Sequence, residues 1–302
     1  MAPSGDDSSI AAQFRHTRES LAPIVELALD GWRLAIVHGN GPQVGDELLR
    51  NELARESASP LPLGVLVAST AGWIGYMVQQ SLENALRAAG SDRQVATVIT
   101  TVEVSAADPA LTRPTKFIGH ELTAARAKEL LDAGETVRKD SRGRLRRVVA
   151  SPVPTAVHEL GTIRNLLESG RIVVCAGGGG IPVTPLPDGA WEGIDAVVDK
   201  DLAAAVLARG IGAQLLLILT DVDAVYSGWG GPDQSKFDRL DVATAERLAA
   251  AGEFGEGSMA PKVRAAIDFV RRSEGRAIIT ELGLGRDAVH GLAGTTITAE
   301  SA

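Results

Sequence analysis

The chain has 302 residues, of which 45% are hydrophobic, and a formal net charge of −8 at pH 7. This length suits one large α/β domain or two lobes, and the acidic balance argues against nucleic acid as the main partner. The single cysteine, Cys175, excludes a disulfide framework or a thiolate metal site within one chain.

The sequence shows no sign of a membrane segment. Its apolar runs are all shorter than the roughly 18 residues that a membrane-spanning helix needs. The first fourteen residues, MAPSGDDSSIAAQF, are polar and acidic, unlike a signal peptide. We therefore expect a cytoplasmic protein, in keeping with the sparse use of cysteine.

The predicted elements alternate between helices and short apolar strands. Helices are predicted at 10–31, from Gln43 to about Arg55, and at 155–170. Strands are predicted at 34–37, 63–68, 95–100, 171–176, 214–220 and 276–280. Such alternation favours an α/β fold with a mostly parallel central sheet covered on both faces. Ligands of such a sheet bind at the carboxyl ends of its strands.

Residues 105–150 interrupt this alternation. The segment contains the sequence PTK at 114–116 and then a strongly basic stretch that predicts a hairpin around residues 141–143. We interpret it as an inserted lobe beside the sheet, with Lys116 able to swing over a site. A long surface loop is the alternative, because loops of this length in a compact domain are usually functional or disordered.

The first strand ends in a glycine-rich turn, HGNGPQVG at 38–45. Glycine permits unusual backbone angles and close approach, and proline suits the first turn of the helix that follows. The N-terminal N–H groups of that helix form a ready anion site. The predicted anion-binding residues are Gly39, Asn40, Gly41, Pro42 and Gln43. An ordinary tight turn is the competing interpretation.

A second glycine-rich turn, AGGGGIPV at 176–183, follows the strand at 171–176. Four consecutive glycines, Gly177 to Gly180, are entropically costly, which indicates a backbone pressed against a ligand such as a phosphate chain. Neither turn has the GxGxxG or GxxxxGK[ST] pattern, so a standard dinucleotide site or P-loop is disfavoured.

Lysine is scarce, with six among the 30 basic residues. Lys200 lies between Asp199 and Asp201 at a predicted helix start, where the helix dipole disfavours a cation. Lys262 lies in a comparable position after a glycine-containing turn. With Lys116, these lysines provide the compact positive charges that phosphoryl transfer uses. Thr220, Asp221 and Asp223 follow the strand at 214–220 and suit either a nucleotide edge or a capped turn.

The sequence lacks the motifs that are typical of nucleophilic hydrolases and of zinc sites. There is no GxSxG sequence, and Cys175 lies within a predicted strand, which argues against nucleophilic hydrolysis. The five histidines show no HExxH spacing, so no protein-bound metal site is expected. His38 adjoins the first glycine turn, where we expect a packed residue at the end of a strand rather than a ligand.

Eight segments in order resemble carbamate kinases of the amino acid kinase family. They are HGNGPQVG (38–45), IGYMVQQSL (74–82), VEVSAADPA with PTKFIG (102–119), RRVVASPVP (146–154), AGGGGIPV (176–183), DKDLAAAVLA (199–208), LTDVDAVY (219–226) and GSMAPKV (257–263). The resemblance covers about Gln13 to Thr296. It implies a three-layer αβα sandwich, here a single domain over 1–302 with 105–150 as a protruding lobe, and a cytoplasmic homodimer.

The resemblance also implies an activity and roles for residues. The activity is reversible phosphoryl transfer between ATP and carbamate, giving ADP and carbamoyl phosphate, in arginine degradation, with Mg²⁺ accompanying the nucleotide. The implied catalytic residues are Lys116, Lys200, Asp201 and Lys262, with Asp201 organising the lysines. Substrate binding is assigned to Gly39, Asn40, Gly41, Pro42, Gln43, Gly177 and Gly178. Nucleotide binding is assigned to Gly179, Gly180, Thr220, Asp221, Val222, Tyr226, Ser258 and Met259.

One departure from this family concerns the start of the chain. Carbamate kinases open with a short apolar strand that ends in Gly-Gly-Asn-Ala, whereas this sequence opens with MAPSG and continues into the first predicted helix. We expect the strand to be encoded just upstream. If the sequence is the whole protein, we expect weak or no activity and low stability.

Two alternatives to an active carbamate kinase remain at this point. One is a kinase for another small acceptor, such as acetylglutamate, aspartate or uridylate, against which the PTK segment argues. The other is an impaired homologue that binds nucleotide weakly.

Overall fold

A computed structural model describes residues 9–140, 142–255 and 259–300. Its helices are α1 (Ile10–Ser20), α2 (Ala22–Leu29), α3 (Gly41–Leu53), α4 (Leu63–Ala88), α5 (Ala124–Asp132), α6 (Leu160–Glu168), α7 (Lys200–Ile211), α8 (Val242–Ala250), α9 (Met259–Arg271) and α10 (Gly285–Val289). None of the helices in these described ranges combines the length and hydrophobicity that a membrane span requires.

The strands are short and are distributed along the whole described chain. They are β1 (Ala35–Ile36), β2 (Val95–Thr97), β3 (Thr101–Val104), β4 (Lys116–Ile118), β5 (Val137–Lys139), β6 (Leu145–Val149), β7 (Pro154–Val157), β8 (Ile172–Val174), β9 (Ile181–Pro185), β10 (Trp191–Gly193), β11 (Leu215–Thr220), β12 (Val225–Ser227), β13 (Ser235–Phe237), β14 (Arg239–Asp241), β15 (Arg276–Glu281) and β16 (Thr295–Thr298).

The central strands form two groups, one parallel and one mixed. In the first group the order is β1-β8-β2, and both neighbours run parallel to β8. In the second the order is β11-β15-β16-β14, in which β11 and β15 are parallel and β16 runs against β15. A further sheet, β10-β9-β3-β7, also contains both parallel and antiparallel pairs. The predicted α/β fold with a mostly parallel centre is confirmed.

Side chains alternate between the two faces of these strands, as a covered sheet requires. On β8, Ile172 and Val174 pack with α4, whereas Val173 packs with α6 and α7 on the other face. On β11, Leu216 and Ile218 pack with α7 and α9. Helices therefore cover both faces, and the three-layer αβα arrangement is confirmed.

The prediction of a strand at 63–68 was wrong. These residues form the first turns of α4, a helix of 26 residues. Leu63, Leu66, Val67 and Ile74 are buried at helical spacing, but a six-residue window shows only an apolar run. Two helix boundaries also differ. The predicted helix at 10–31 divides into α1 and α2 near Pro23, and the one at 155–170 begins as strand β7.

Within 105–150 the chain builds a sheet of its own, in the order β4-β6-β5, with α5 packed beside it. Strands β5 and β6 are antiparallel, as predicted for the hairpin, although residue 141 at its tip lies outside the described residues. The lobe contacts α3 closely, since a Cβ atom on Gly45 would lie 2.1 Å from the Cα atom of Gly119.

Candidate active site

The site begins at the N-terminus of α7. Asp199 is the N-cap, and its Oδ1 atom accepts hydrogen bonds from the backbone N–H groups of Asp201 and Leu202 at 2.9 and 3.3 Å. A carboxylate in this position satisfies N–H groups that have no partner within the helix. The cap places Lys200 and Asp201 in the first turn, as predicted.

Asp201 fixes two of the predicted lysines. Its carboxylate is buried, with the residue 6% exposed. Lys200 Nζ donates to Oδ1 at 2.6 Å, and Lys262 Nζ, on α9, donates to Oδ2 at 2.9 Å. A buried carboxylate is costly unless it is paired, so each lysine stabilises the charge that positions the other. The two ammonium groups are therefore held side by side.

The third lysine reaches this cluster from the lobe. Lys116, the first residue of β4, donates from Nζ to Asp199 Oδ2. Burial raises the pKa of Asp199, but the Lys116 charge and the hydrogen bonds from Lys116 and the α7 N–H groups outweigh it, so the pKa lies below its usual value. Asp199 is therefore an anion that ties the lobe to α7.

These five residues carry one net positive charge, from three lysines and two aspartates. We call Lys116, Asp199, Lys200, Asp201 and Lys262 the lysine cluster. The lysine side chains keep between 14% and 31% of their surface exposed, so a solvent-borne anion can reach them. Compact cations beside a helix N-terminus suit a phosphoryl group.

The first glycine turn lies at the carboxyl end of β1. Asn40 is 3% exposed and donates from Nδ2 to Thr70 Oγ1 at 2.9 Å, so its side chain is fixed against α4. Helix α3 begins at Gly41, and the Asn40 side chain makes no capping hydrogen bond. The first-turn N–H groups of Gly41 and Gln43 therefore remain available for a ligand in the predicted place.

The second glycine turn has a different physical basis from the one the sequence suggested. Gly178, Gly179 and Gly180 all have positive φ angles and are buried. Their N–H groups donate to the carbonyls of His38, Ala176 and Gly177, at 2.8, 3.0 and 3.1 Å respectively. These three donors are engaged within the protein, and the predicted contact of the turn with a phosphate chain stays a prediction.

Protein atoms, rather than a ligand, explain why side chains are excluded at this turn. Cβ atoms built on Gly177, Gly178 and Gly179 would lie 2.5 Å or less from His38 Nε2, Asn40 Nδ2 and Val198 O, respectively. The tetraglycine turn thus packs the first glycine turn against the segment that leads into α7. The turn therefore sets the distance between the first glycine turn and the start of α7.

The predicted nucleotide loop follows β11. Thr220 Oγ1 donates to Asp221 Oδ1 at 3.0 Å, and the Tyr226 hydroxyl donates to Asp223 Oδ1 at 2.8 Å. Val222 lies between them on the same loop. Leu219, near the end of β11, lines the same cavity as Lys200 and Asp201. The contact of this loop with a nucleotide stays a prediction.

Two further predicted residues lie where α9 begins. Met259 is the first residue of α9 and packs, partly buried, against the core that includes Val263 and Ala266. Ser258 lies outside the described residues. Met259 therefore contributes to packing in this structure, and its predicted contact with nucleotide stays a prediction.

Sequence reasoning missed two members of this region. Asp199 was considered only as a cap, yet it is the partner of Lys116. Lys236 lies opposite Tyr226 in the β12–β13 hairpin, with Nζ 3.5 Å from Asp223 Oδ2. Only the hairpin pairing, which predicts cross-strand neighbours, would have indicated Lys236.

Two groups near the site, the partly buried His38 and the buried Cys175, take no direct part in this charge arrangement. Burial lowers the pKa of His38, against smaller opposing effects of backbone hydrogen bonds at Gly39 and Ala71. Burial also raises the pKa of the Cys175 thiol to about 12. Within the described residues, no group of three or more histidine, cysteine, aspartate or glutamate side chains is arranged to hold a metal.

Comparison with known proteins supports the sequence resemblance. The model of the amino acid kinase family matches residues 7–281. Carbamate kinase 1 of Enterococcus faecium is 42% identical over 296 residues, spanning 97% of this chain and 94% of the relative. A carbamate kinase of Halobacterium salinarum is 45% identical over 295 residues, with the same coverage of each chain.

A solved structure agrees with these sequence relatives. Carbamate kinase from Giardia lamblia bound to AMP-PNP has a TM-score of 0.90 and 35% identity, and the match covers 99% of this chain and 95% of that one. The match extends over the central strands, the inserted lobe and the segments that carry the lysine cluster. The predicted resemblance to carbamate kinases is confirmed, and this chain belongs to the amino acid kinase family.

Proposed function

We propose that this protein is a phosphotransferase that moves a phosphoryl group reversibly between ATP and carbamate, giving ADP and carbamoyl phosphate. The observation that carries the proposal is the pairing of Lys200 and Lys262 on one buried carboxylate, Asp201. The names of the relatives, which are carbamate kinases at 42% and 45% identity, supply the acceptor.

The reaction requires little covalent chemistry from the protein. A carbamate oxygen attacks the γ-phosphorus of ATP, a new P–O bond forms, and the bond to the β-phosphate oxygen breaks as ADP leaves. Charge on the transferred group is spread over three oxygens, so positioning and cations supply most of the catalysis. The lysine cluster provides those cations.

We assign the individual roles by position. Lys116, on the lobe, contacts the transferring phosphoryl group, which requires it to leave Asp199. Lys200 and Lys262 neutralise the phosphates of the nucleotide, and Asp201 keeps them adjacent. The turn from Gly39 to Gln43 binds the carbamoyl phosphate end through the N–H groups of α3.

The remaining assignments follow the same layout. Thr220, Asp221, Val222 and Tyr226 border the adenine nucleotide, and Met259 and Ser258 close the same side. Gly177 and Gly178 on the acceptor side, and Gly179 and Gly180 on the nucleotide side, act by spacing these loops. Mg²⁺ enters with the nucleotide and is held mainly by phosphate oxygens and water.

The proposal extends to the setting of the enzyme. We propose one catalytic domain over residues 1–302 with residues 105–150 as its protruding lobe, a homodimeric assembly, and a cytoplasmic role in arginine degradation. Sedimentation at several protein concentrations tests the assembly.

An acceptor panel tests the activity. Transfer of labelled phosphate from ATP is measured with carbamate, acetylglutamate, aspartate and uridylate under the same conditions. We expect carbamate to give the highest rate, because the fold carries the Lys116 lobe found in the carbamate kinases that it resembles. A higher rate with another acceptor would assign the chain to a sister activity, and transfer to none would leave a nucleotide-binding homologue.

A further inference from the structure

The lobe rests on α3 through a close backbone contact near the first glycine turn. Gly119 N, just after β4, donates to Gly41 O at 3.0 Å, and a Cβ atom on Gly45 would lie 2.1 Å from Gly119 Cα. Beside this contact, His120 Nε2 lies 3.1 Å from Asp46 Oδ1. These contacts hold the lobe to the N-terminal half of α3.

The core of the domain holds the lobe in the same place. Ile118 is 1% exposed and packs with Val44 of α3 and with Val197, which precedes α7. Val197 N also donates to Ala150 O, at the end of the lobe, at 3.0 Å. All of these contacts surround one small cluster, and a body that is held at one place can rotate about it.

A separate attachment lies near the C-terminal end of α3 and depends on one carboxylate. Glu52 accepts from Arg126 of α5 through Oε2 and from Arg147 of β6 through Oε1, the latter at 2.6 Å. The side chains of Glu52 and Arg147 are only 20% and 12% exposed, so their charges are screened less than those of a surface pair. Glu52 lies about two turns, or about 12 Å, beyond Val44, which places this attachment away from the cluster.

Each of the two arginines has a second carboxylate partner, and both of these partners belong to the lobe. Arg126 Nη1 donates to Glu129 Oε2 at 2.8 Å. Arg147 contacts Glu135 through Nη2 at 2.6 Å and through Nε at 3.2 Å. Among the carboxylates that these arginines contact in the described chain, only Glu52 lies outside the lobe. Loss of Glu52 would therefore leave both arginines paired but would remove their connection to α3.

The sheet of the lobe transmits this attachment to Lys116. Arg147 lies opposite Ile118 in the antiparallel β4–β6 pair, and Lys116 lies opposite Val149 on the same two strands. Because the strands are hydrogen-bonded to each other, a rotation of β6 carries β4 and its first residue with it. A misplacement of about 1 Å can cost on the order of 100-fold in rate, so the orientation of the lobe matters to any reaction that uses Lys116.

We propose that Glu52 is a positioning residue. By holding Arg126 and Arg147 it prevents the lobe from rotating on α3, and it thereby fixes Lys116 relative to the N-terminus of α3 and to the lysine cluster. Glu52 lies about 16 Å along α3 from Gly41, so it acts through the lobe and not on substrate. The consequence for catalysis rests on the proposed phosphoryl transfer, whereas the attachment itself does not.

A distance measurement without substrates tests the attachment independently of the proposed activity. Spin labels are placed at Lys128→Cys on α5 and Thr162→Cys on α6, which are exposed positions, whereas the native Cys175 is buried. We expect the distribution of distances between the labels to broaden about twofold or more in Glu52→Gln, because hinge motion becomes accessible. Glu135→Gln is the matched control, since it removes a carboxylate from Arg147 inside the lobe, and it should leave the distribution unchanged. An unchanged distribution in Glu52→Gln, or equal broadening in both variants, overturns the proposal.

Steady-state kinetics of ATP formation from ADP and carbamoyl phosphate tests the consequence for catalysis. We expect Glu52→Gln to lower kcat about tenfold while the KM for ADP changes by less than about twofold, because the nucleotide is assigned to other elements. Glu135→Gln should keep the wild-type kcat. An equal fall of kcat in both variants, or a wild-type kcat in Glu52→Gln, overturns the positioning role. If the wild type forms no ATP, the proposed function fails, and the distance measurement still decides whether Glu52 holds the lobe.

Discussion

At the scale of single residues, Asp201 decides how charge is arranged in the site. Its buried carboxylate accepts from two lysines that come from different helices, α7 and α9. Without that carboxylate the two ammonium groups would repel each other. The pairing explains why a lysine stands at the start of each helix, where the dipole alone disfavours it.

Removing the lysines should lower turnover more than it lowers stability. We expect Lys116→Ala and Lys200→Ala each to reduce kcat at least tenfold, or about 1.4 kcal/mol of transition-state stabilisation. Lys128→Ala is the matched control, because Lys128 is exposed on α5 and pairs only with Asp132 among the described residues. Steady-state kinetics on the three variants is the measurement. Wild-type rates in both Lys116→Ala and Lys200→Ala would refute the assigned roles.

His38 should make stability depend on pH. Burial lowers its pKa below the ordinary value of 6.5, so the folded protein binds this proton less readily than the unfolded chain. Its contribution to stability is full above pH 6.5 and is lost as the pH falls, by up to about 1.4 kcal/mol per pH unit. Urea unfolding from pH 7.5 to 5 should therefore show a smaller loss of stability in His38→Gln. An unchanged slope in that variant would contradict this effect.

At the scale of elements, the tetraglycine turn holds the site together. It lies between the first glycine turn and the start of α7, and its backbone contacts leave no room for side chains. Ala176, directly before it, has a positive φ of 47°, a conformation that costs a non-glycine residue energy. The turn is therefore a strained but closely packed connection rather than a flexible one.

An alanine in this turn should lower the free energy of unfolding more than an alanine at an open glycine with a similar φ, because its Cβ atom meets neighbouring atoms. Gly179→Ala places a Cβ atom 2.3 Å from Val198 O at a φ of +96°, which should cost about 2 kcal/mol or more. Gly189→Ala has a similar φ of +85° with no atom within 4 Å, so we expect about 1 kcal/mol from backbone strain alone. Urea unfolding midpoints of the two variants measure this difference. An equal loss of stability in both would show that packing at Gly179 is unimportant.

The elements also show what the sequence can and cannot reveal. Strand β11 and the start of α7 were predicted from apolar runs and a capping aspartate, which are local signals. The helical character of 63–68 depends on spacing over the 26 residues of α4, a longer range than the window used. The Lys116–Asp199 contact joins residues 83 positions apart, and no local pattern specifies which residues the fold will bring together.

The tetraglycine turn illustrates a second limit. Its composition correctly marked a place of close approach, but composition does not say what approaches. The structure shows that the neighbours are His38, Asn40 and Val198, all parts of the protein itself. Motif order predicted the family and the fold, whereas the physical reason for these glycines required coordinates.

At the scale of the whole molecule, the site lies where several layers meet. The first glycine turn follows β1, the nucleotide loop follows β11, and the lysine cluster joins α7, α9 and the lobe. Ligands of parallel sheets bind at such carboxyl edges.

The most direct test of the central claim is the rate of ATP formation from ADP and carbamoyl phosphate, measured for the wild-type chain and for Lys200→Ala. The account predicts turnover by the wild type that falls at least tenfold, about 1.4 kcal/mol, in the variant. The same rate in both proteins would contradict the claim that these lysines surround a phosphoryl group in transfer.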